Sequence, residues 1–385
     1  MSDTRSTKEY IAAADVLRVA SIALVAWYHF WQQSWLSADI RVGSVTIGLQ
    51  KLVSTGYMMV DATLVLSGFL LALPRVRARR EHRPVPDARH FYRARALRIL
   101  PGYLTAVLGV FAFYALPKGL YSSAADALFD LAAHLTFTHN LSARTYFASP
   151  IPGVLWTVAV EAQFYLLFPL LDRAFARRPA ATLLGMTAAA LAARLWTAQQ
   201  PDTTLLVNQL PCMLDLFACG MGAALLYVRL DARRGVGVPA LVGMLVCFAV
   251  MLQLLYIQPA GDYESIRHGQ LAWRLPFGIA AGGFALCGAL IPPGAQRVLG
   301  NRVTRALSRL SYGFYIWHQF LACRLKDGHI PSYTSELPNQ TGEQPWQTLY
   351  MLLCPLAALA VSAGVTYAIE QPIMRRYKHT SRGDL

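Results

Sequence analysis

The sequence predicts an all-α fold, a polytopic membrane helical bundle of about ten transmembrane helices. Hydrophobic residues make up 55% of the 385 positions, and charged residues make up only 15%. The mean hydropathy of +0.37 is too high for an ordinary soluble enzyme. Apolar runs of roughly the length that crosses a bilayer alternate with short segments rich in arginine. Together these observations indicate a chain that crosses a membrane many times.

The apolar runs define ten predicted spans within one transmembrane domain, residues 13–372. A polar arm, residues 1–12, precedes this domain and a tail, residues 373–385, follows it, and we expect no appended soluble domain. The predicted spans are residues 13–36, 53–73, 96–116, 154–172, 180–197, 208–228, 236–257, 271–292, 309–325 and 347–370.

The arginines orient these spans. Nine of them lie between residues 75 and 98, and loops rich in Lys and Arg stay on the cytoplasmic side. Segment 75–95 is therefore predicted to be a basic cytoplasmic loop. The arm 1–12 and the tail 373–385 are predicted to be cytoplasmic as well. The polar segment 326–346 is then an outer loop.

Residues 126–142 form an amphipathic stretch that is short for a span. A crossing there would move Arg173, Arg177 and Arg178 to the outer face, against the usual charge bias. We therefore predict an interfacial helix on the outer face.

Composition and motifs exclude several function classes. The net charge of +14 comes from arginines clustered between apolar runs, so membrane topology explains it and a nucleic-acid partner is not expected. The six cysteines are scattered without CxxC spacing and are interpreted as packing residues. The chain contains no HExxH, GxSxG or phosphate-binding loop, and no metal site is predicted.

The first predicted span contains three ionisable residues, Asp15, Arg18 and His29. Such groups are costly inside a membrane and usually functional. Arg18 and His29 are eleven residues apart, which places both on one face of a helix, about 16 Å apart along its axis. Asp15 lies three residues before Arg18 and is positioned to neutralise it.

Six short motifs occur in order along the chain. They resemble those of the acyltransferase-3 family, membrane proteins that move acyl groups, often acetyl, to hydroxyls of glycans, lipids and small natural products. The motif residues are Arg18 and His29; Val60, Asp61, Leu66, Ser67, Gly68 and Phe69; Arg95, Arg98, Ile99 and Pro101; Leu155, Trp156, Glu161, Phe164 and Tyr165; Ser311, Tyr312, Trp317 and His318; and Glu370 and Pro372.

The resemblance implies an O-acyltransferase in a bacterial-type cytoplasmic (inner) membrane, with acetyl as the expected acyl group. The expected partners are the lipid bilayer, an acyl donor and a hydroxyl-bearing acceptor. Some family members that modify glycans depend on a fused soluble domain, so the resemblance leaves the acceptor open.

Acyl-CoA, most simply acetyl-CoA, is the expected donor, because it is cytoplasmic and its phosphates require cations. Arg18, Arg95 and Arg98 provide them, since guanidinium groups bind phosphate in a bidentate manner. An extended pantetheine arm of roughly 15 to 20 Å, judged against the helix rise, could then bring the thioester near His29.

His29 is the predicted catalytic residue. It acts either as a general base toward the acceptor hydroxyl or as a nucleophile that forms an acyl-imidazole. Glu161 or Asp15 is predicted to orient its ring or to stabilise the imidazolium.

Four other buried polar residues are assigned with alternatives. His318 is either a residue of a second site or a structural residue that forms hydrogen bonds. Asp61 is expected to bridge helices, with a place in a second site as the alternative. Arg194 and Asp215 either pair with each other or line an acceptor cleft.

The alternative function is a multi-pass transporter or flippase, because buried ionisable groups also suit a proton-coupled carrier. Two features disfavour it. The hydropathy pattern shows no internal repeat, and the cluster of arginines at 75–98 exceeds what topology alone needs.

Overall fold

The structure is a computed structural model that describes residues 10–230, 237–259 and 263–376. The described chain is a bundle of α-helices with one two-stranded antiparallel hairpin. The predicted all-α membrane fold is therefore confirmed. Most of the arm predicted at 1–12 and of the tail predicted at 373–385 lies outside the described residues.

Fourteen α-helices occur in the described residues, and several are extended by 3₁₀ or π turns. The hairpin pairs Ile40 with Ile47 and was not predicted, because its strands are only three residues long. The helices are α1 Ala12–Ser34, α2 Gln50–Ser54, α3 Met59–Arg80, α4 Ala88–Val110, α5 Ala124–Leu135, α6 Ala143–Tyr146, α7 Trp156–Arg177, α8 Pro179–Thr197, α9 Leu214–Leu230, α10 Gly237–Tyr256, α11 Tyr263–Leu290, α12 Pro293–Leu299, α13 Arg302–Asp327 and α14 Trp346–Val365; the strands are β1 Ile40–Val42 and β2 Val45–Ile47.

A helix is present at each of the ten predicted spans. Nine helical segments of the described chain are long and apolar enough to cross a membrane. The remaining one, α13, has 26 residues but is more polar, because it carries four arginines and a lysine. It packs against α1, α4 and α14, so its polar face is partly covered by other helices.

The prediction of a loop at 75–95 is wrong over most of its length. Helix α3 continues to Arg80, and α4 already begins at Ala88. Arginine is a good helix former, and cations in the last turn of α3 interact favourably with the helix dipole. Two of these arginines also share one buried carboxylate, because Arg75 Nε donates to Asp172 at 2.6 Å and Arg79 Nη1 donates to it at 2.9 Å.

The segment predicted at 126–142 as an interfacial helix contains helix α5, Ala124–Leu135, followed by a 3₁₀ turn at His139–Leu141. Twelve residues of helix span about 18 Å, which is too short to cross the hydrocarbon core. The placement of α5 on the outer face, like the cytoplasmic location of both termini, stays a prediction.

Helix α3 lies at the centre of the bundle and packs against α1, α7, α9 and α11. Its contact with α9 depends on two glycines. A Cβ atom at Gly68 would collide with the carbonyl oxygen of Phe217, and a Cβ atom at Gly220 would collide with that of Val65. Small residues allow this close approach of two backbones, as in other membrane helix pairs.

Buried ion pairs connect the helices around this centre. Arg274 on α11 donates from Nε to Asp61 at 3.0 Å and from Nη1 to the Val207 carbonyl at 2.6 Å. Arg194 on α8 donates to both oxygens of Asp215 on α9, at 2.9 and 2.6 Å. The predicted bridging role of Asp61 and the predicted pairing of Arg194 with Asp215 are confirmed.

Removing one partner of such a pair should destabilise the bundle. We expect Asp61→Ala to lower the free energy of unfolding by about 3–5 kcal/mol, because Arg274 would remain buried without its counterion. The double variant Asp61→Leu/Arg274→Met should recover most of the loss, since it removes both charges. Unfolding of the purified protein in detergent, followed by tryptophan fluorescence, measures these changes. Glu336→Ala, which alters an exposed carboxylate, is the control; equal stability of Asp61→Ala and this control would contradict the prediction.

Candidate active site

A cavity of about 150 Å³ lies between α1, α3, α4, α7 and α13. Its lining contains three guanidinium groups and a single carboxylate. The polar residues that line it are Arg18, Thr63, Ser67, Arg95, Arg98, Thr157, Glu161, Tyr165, Ser311, Tyr312 and Tyr315. Four of the predicted site residues, Arg18, Arg95, Arg98 and Glu161, therefore meet in one space although they come from three helices.

Glu161 is held by hydroxyl groups on both of its oxygens. The Ser67 hydroxyl on α3 donates to Oε1, and the Tyr165 hydroxyl, one turn along α7, donates to Oε2 at 3.1 Å. The positive charges of Arg18 and Arg95 also act on this carboxylate. The two hydroxyls fix the carboxylate in the cavity wall and keep it within the field of the arginines.

Arg18 is held at the cavity by Asp15 and by a serine from α13. Its Nη1 lies 3.4 Å from Asp15 Oδ1 and 3.2 Å from Ser308 Oγ, and the same serine donates to Asp15 at 2.6 Å. The predicted neutralisation of Arg18 by Asp15 is confirmed. Ser308 was not identified from the sequence, because it lies 290 residues away and only the tertiary fold brings it to Arg18.

The prediction that Asp15 orients His29 is not supported by this geometry. The two residues are fourteen positions apart on α1, and this corresponds to about 21 Å along a helix. Glu161 also makes its hydrogen bonds to Ser67 and Tyr165, and none of those described for it reaches His29.

Arg95 and Arg98 lie on the same face of α4. The guanidinium carbon of Arg95 is 6.0 Å from the centroid of the Phe91 ring, and that of Arg98 is 5.9 Å from the Tyr312 ring. Both cations thus face aromatic rings, which attract them weakly and leave hydrogen-bond donors for a ligand. Arg95 Nε is buried and has no hydrogen-bond partner among the described residues.

Glu370, from the last motif of the sequence, approaches the same end of the cavity. It lies in a π-helical turn that continues α14, and a Cβ atom at Gly102 would collide with its Oε1. The charge of Arg98 acts on this carboxylate. The sequence motif pointed to Glu370, but it did not show that Glu370 lies next to Arg98.

His29 does not line the cavity but lies beyond it, about two turns along α1 from the lining residue Ile22. The ring of His318 on α13 is its neighbour, with 5.2 Å between the ring centroids and an edge-on arrangement. His318 Nδ1 donates to the carbonyl oxygen of Tyr315, a lining residue, at 2.6 Å. Arg18 and His29 were expected to face one shared space. Only Arg18 lines the cavity, whereas His29 pairs with His318 beyond it.

One further predicted residue, Asp61, lies elsewhere. Asp61 is paired with Arg274 and does not line the cavity, so its surroundings do not support a role in a second site.

His134 and His139 stack at 4.1 Å between centroids, and burial lowers the pKa of His139 to about 2, which keeps this imidazole neutral. Residues 10–230, 237–259 and 263–376 contain no group of three His, Cys, Asp or Glu residues that could hold a metal ion.

Comparison with known proteins identifies the family of the chain. Residues 11–361 match the profile of a family described as an acyltransferase domain. The chain belongs to the acyltransferase-3 family. The match covers every motif residue except Glu370 and Pro372.

Several relatives of this acyltransferase-3 protein are named acetyltransferases. It is 22% identical to the peptidoglycan O-acetyltransferase OatA of Listeria monocytogenes over 97% of this chain and 57% of the relative. It is 25% identical to a putative acetyltransferase of Acidianus two-tailed virus, over 83% of this chain and 85% of that protein. The O-acetyltransferase OatA of Staphylococcus aureus is 26% identical over 42% of this chain and 24% of its own length. The chain thus spans little more than half of the Listeria relative, and no solved structure matches it.

Proposed function

We propose that this protein is a membrane-embedded O-acyltransferase that moves an acetyl group from cytoplasmic acetyl-CoA to a hydroxyl of a cell-envelope glycan, in a bacterial-type inner membrane. The observation that carries the proposal is the cavity within the bundle, lined by three guanidinium groups, with a pair of histidines beyond it. The names of the relatives support acetyl as the group and a glycan as the acceptor.

The charge of the cavity suits the phosphates of coenzyme A. Each phosphate is an anion with several acceptor oxygens, and guanidinium groups bind such oxygens in a bidentate manner. Arg95 and Arg98 lie three residues apart on α4, so one pyrophosphate can contact both. Arg18 completes the set, while the Glu161 carboxylate limits the positive charge when the site is empty.

The distance between the cations and the histidines matches the shape of the donor. Arg18 and His29 are separated by about 16 Å along α1. An extended pantetheine arm is of similar length, roughly 15 to 20 Å, on the same scale. A donor bound by its phosphates at the arginines therefore reaches the histidine pair with its thioester.

The transfer then needs a base that takes the hydroxyl proton and a displacement of the thiolate by the hydroxyl oxygen. His29 takes the proton of the acceptor hydroxyl as the oxygen attacks the thioester carbonyl carbon and forms the new C–O bond. The C–S bond breaks, and the thiolate leaves with the proton that His29 returns. The products are an acyl ester and coenzyme A. Attack by His29 itself, through an acyl-imidazole, is the competing route.

We expect His29→Ala to abolish transfer while the protein still folds, because the imidazole is a reactant in the proposed reaction. Mass spectrometry of cell-envelope glycans should show an acetyl mass shift in cells with the wild-type protein. Cells that lack the protein, or that carry His29→Ala at equal abundance, should not show the shift. A wild-type pattern in the His29→Ala cells would contradict the role of His29, and no shift in any of these cells would contradict the function.

Substitution of the α4 arginines should affect binding of the donor more than chemistry. Arg95→Ala and Arg98→Ala should each weaken coenzyme A binding about tenfold or more, since each removes a charge-assisted hydrogen bond of about 1.5–3 kcal/mol. Calorimetric titration of the purified protein with coenzyme A measures the change. Arg89→Ala, on an exposed part of the same helix, is the matched control. If all three variants bound coenzyme A with equal affinity, the proposed binding of phosphate by Arg95 and Arg98 would be wrong.

A further inference from the structure

His318 has surroundings that packing alone does not explain. The residue is fully buried, and its ring lies among Phe30, Phe314, Tyr315 and His29. The rings of Phe30 and Phe314 offer the imidazole no hydrogen-bond partner. A polar ring in such surroundings is expected to use both of its nitrogens in hydrogen bonds.

Only one of the two nitrogens is used. Nδ1 lies 2.6 Å from the Tyr315 carbonyl oxygen, which can only accept a hydrogen bond, so Nδ1 carries the proton. In the neutral ring, Nε2 is then a lone-pair acceptor. This nitrogen is buried and has no hydrogen-bond partner in the described part of the chain.

His29 carries a ring nitrogen that is suited to pair with His318 Nε2. Its Nδ1 is also buried and is without a hydrogen-bond partner among the described residues. The 5.2 Å between the two ring centroids equals one N–H···N hydrogen bond of about 3 Å plus the distance from each centroid to its ring nitrogen. An orientation in which these two nitrogens face each other would therefore satisfy both at once.

We propose that His318 is a positioning residue that accepts a hydrogen bond at Nε2 from His29 Nδ1–H. The Tyr315 carbonyl, His318 and His29 then form one chain of hydrogen bonds, which fixes the tautomer of each ring. His29 Nε2 becomes the free lone pair and faces the acceptor hydroxyl. This assignment rests on the proposed function, because it gives that nitrogen the role of general base.

The chain of hydrogen bonds also determines where the proton goes. The acceptor proton moves to His29 Nε2 while the new C–O bond forms, and His29 becomes an imidazolium whose Nδ1–H remains hydrogen-bonded to His318. When the C–S bond breaks, the proton on Nε2 passes to the thiolate. His318 itself neither gains nor loses a proton, as expected for a residue that orients the base.

The first test measures the tautomer and does not need catalysis. Magic-angle-spinning NMR of protein labelled with ¹⁵N-histidine should show the His29 signal, identified by its absence in His29→Ala, as protonated at Nδ1 in the wild type. The same signal should move to the Nε2-protonated form in His318→Phe. An Nε2-protonated His29 in the wild type would overturn the pairing. If the pairing is present but no acyl transfer can be measured, the proposed function fails and the pairing stands.

The second test separates positioning from packing by acyl-transfer kinetics with acetyl-CoA. His318→Phe should lower kcat about 10- to 100-fold, by analogy with the hydrogen-bond partners that orient metal-bound histidines, without changing coenzyme A affinity. His318→Gln should recover most of the loss, because its amide oxygen can accept from His29 Nδ1–H. His329→Phe, an exposed histidine just after α13, is the control and should match the wild type.

Two results would overturn the positioning role. One is wild-type kcat in His318→Phe. The other is a His318→Gln variant that folds but is as slow as His318→Phe.

Discussion

The cost of burying charge in a membrane governs this structure. An ionised group that has left water must be compensated inside the protein, by an opposite charge and by hydrogen bonds. The pairs Asp61–Arg274 and Arg194–Asp215 supply the opposite charges and connect α3, α8, α9 and α11. Against this background the cavity stands out, because its lining carries three guanidinium groups and one carboxylate. Three guanidinium groups that meet at one cavity suit an anionic ligand with several acceptor oxygens.

The site is divided into two parts along the direction of α1. Arg18 belongs to the charged part, where α4 contributes Arg95 and Arg98. His29 belongs to the second part, where α13 contributes His318. Because α1 and α13 pack side by side, one pair of helices sets the spacing between charge and imidazole. This spacing is what relates the fold to a long acyl donor.

Much of this arrangement could be predicted from local sequence. Long apolar runs determine where the helices lie, and the three-residue spacing of Asp15 and Arg18 already indicates their contact. The end of α3 was mispredicted because the arginines after residue 75 were read as loop residues, although arginine also favours helix and Asp172 stabilises the helical form. Polarity alone does not distinguish a basic loop from a basic helix end.

The remaining contacts depend on tertiary packing. Nothing near Asp61 in the sequence specifies Arg274, which lies 213 residues later. His29 and His318 were each identified from a motif, but their proximity follows only from the packing of α1 against α13. The sequence therefore indicated which residues matter, while their grouping into a charged cavity and a histidine pair required the fold.

The central claim is that one bound donor extends from the arginines to the histidines. A structure of the protein with a non-hydrolysable acetyl-CoA analogue measures this directly. The account predicts phosphate oxygens in hydrogen-bond contact with Arg95 and Arg98. It also predicts that the analogue's carbonyl carbon lies within about 6 Å of His29 Nε2, which leaves room for an acceptor oxygen between them. Phosphates bound away from the α4 arginines, or a carbonyl carbon more than two helical turns, about 11 Å, from His29, would contradict it.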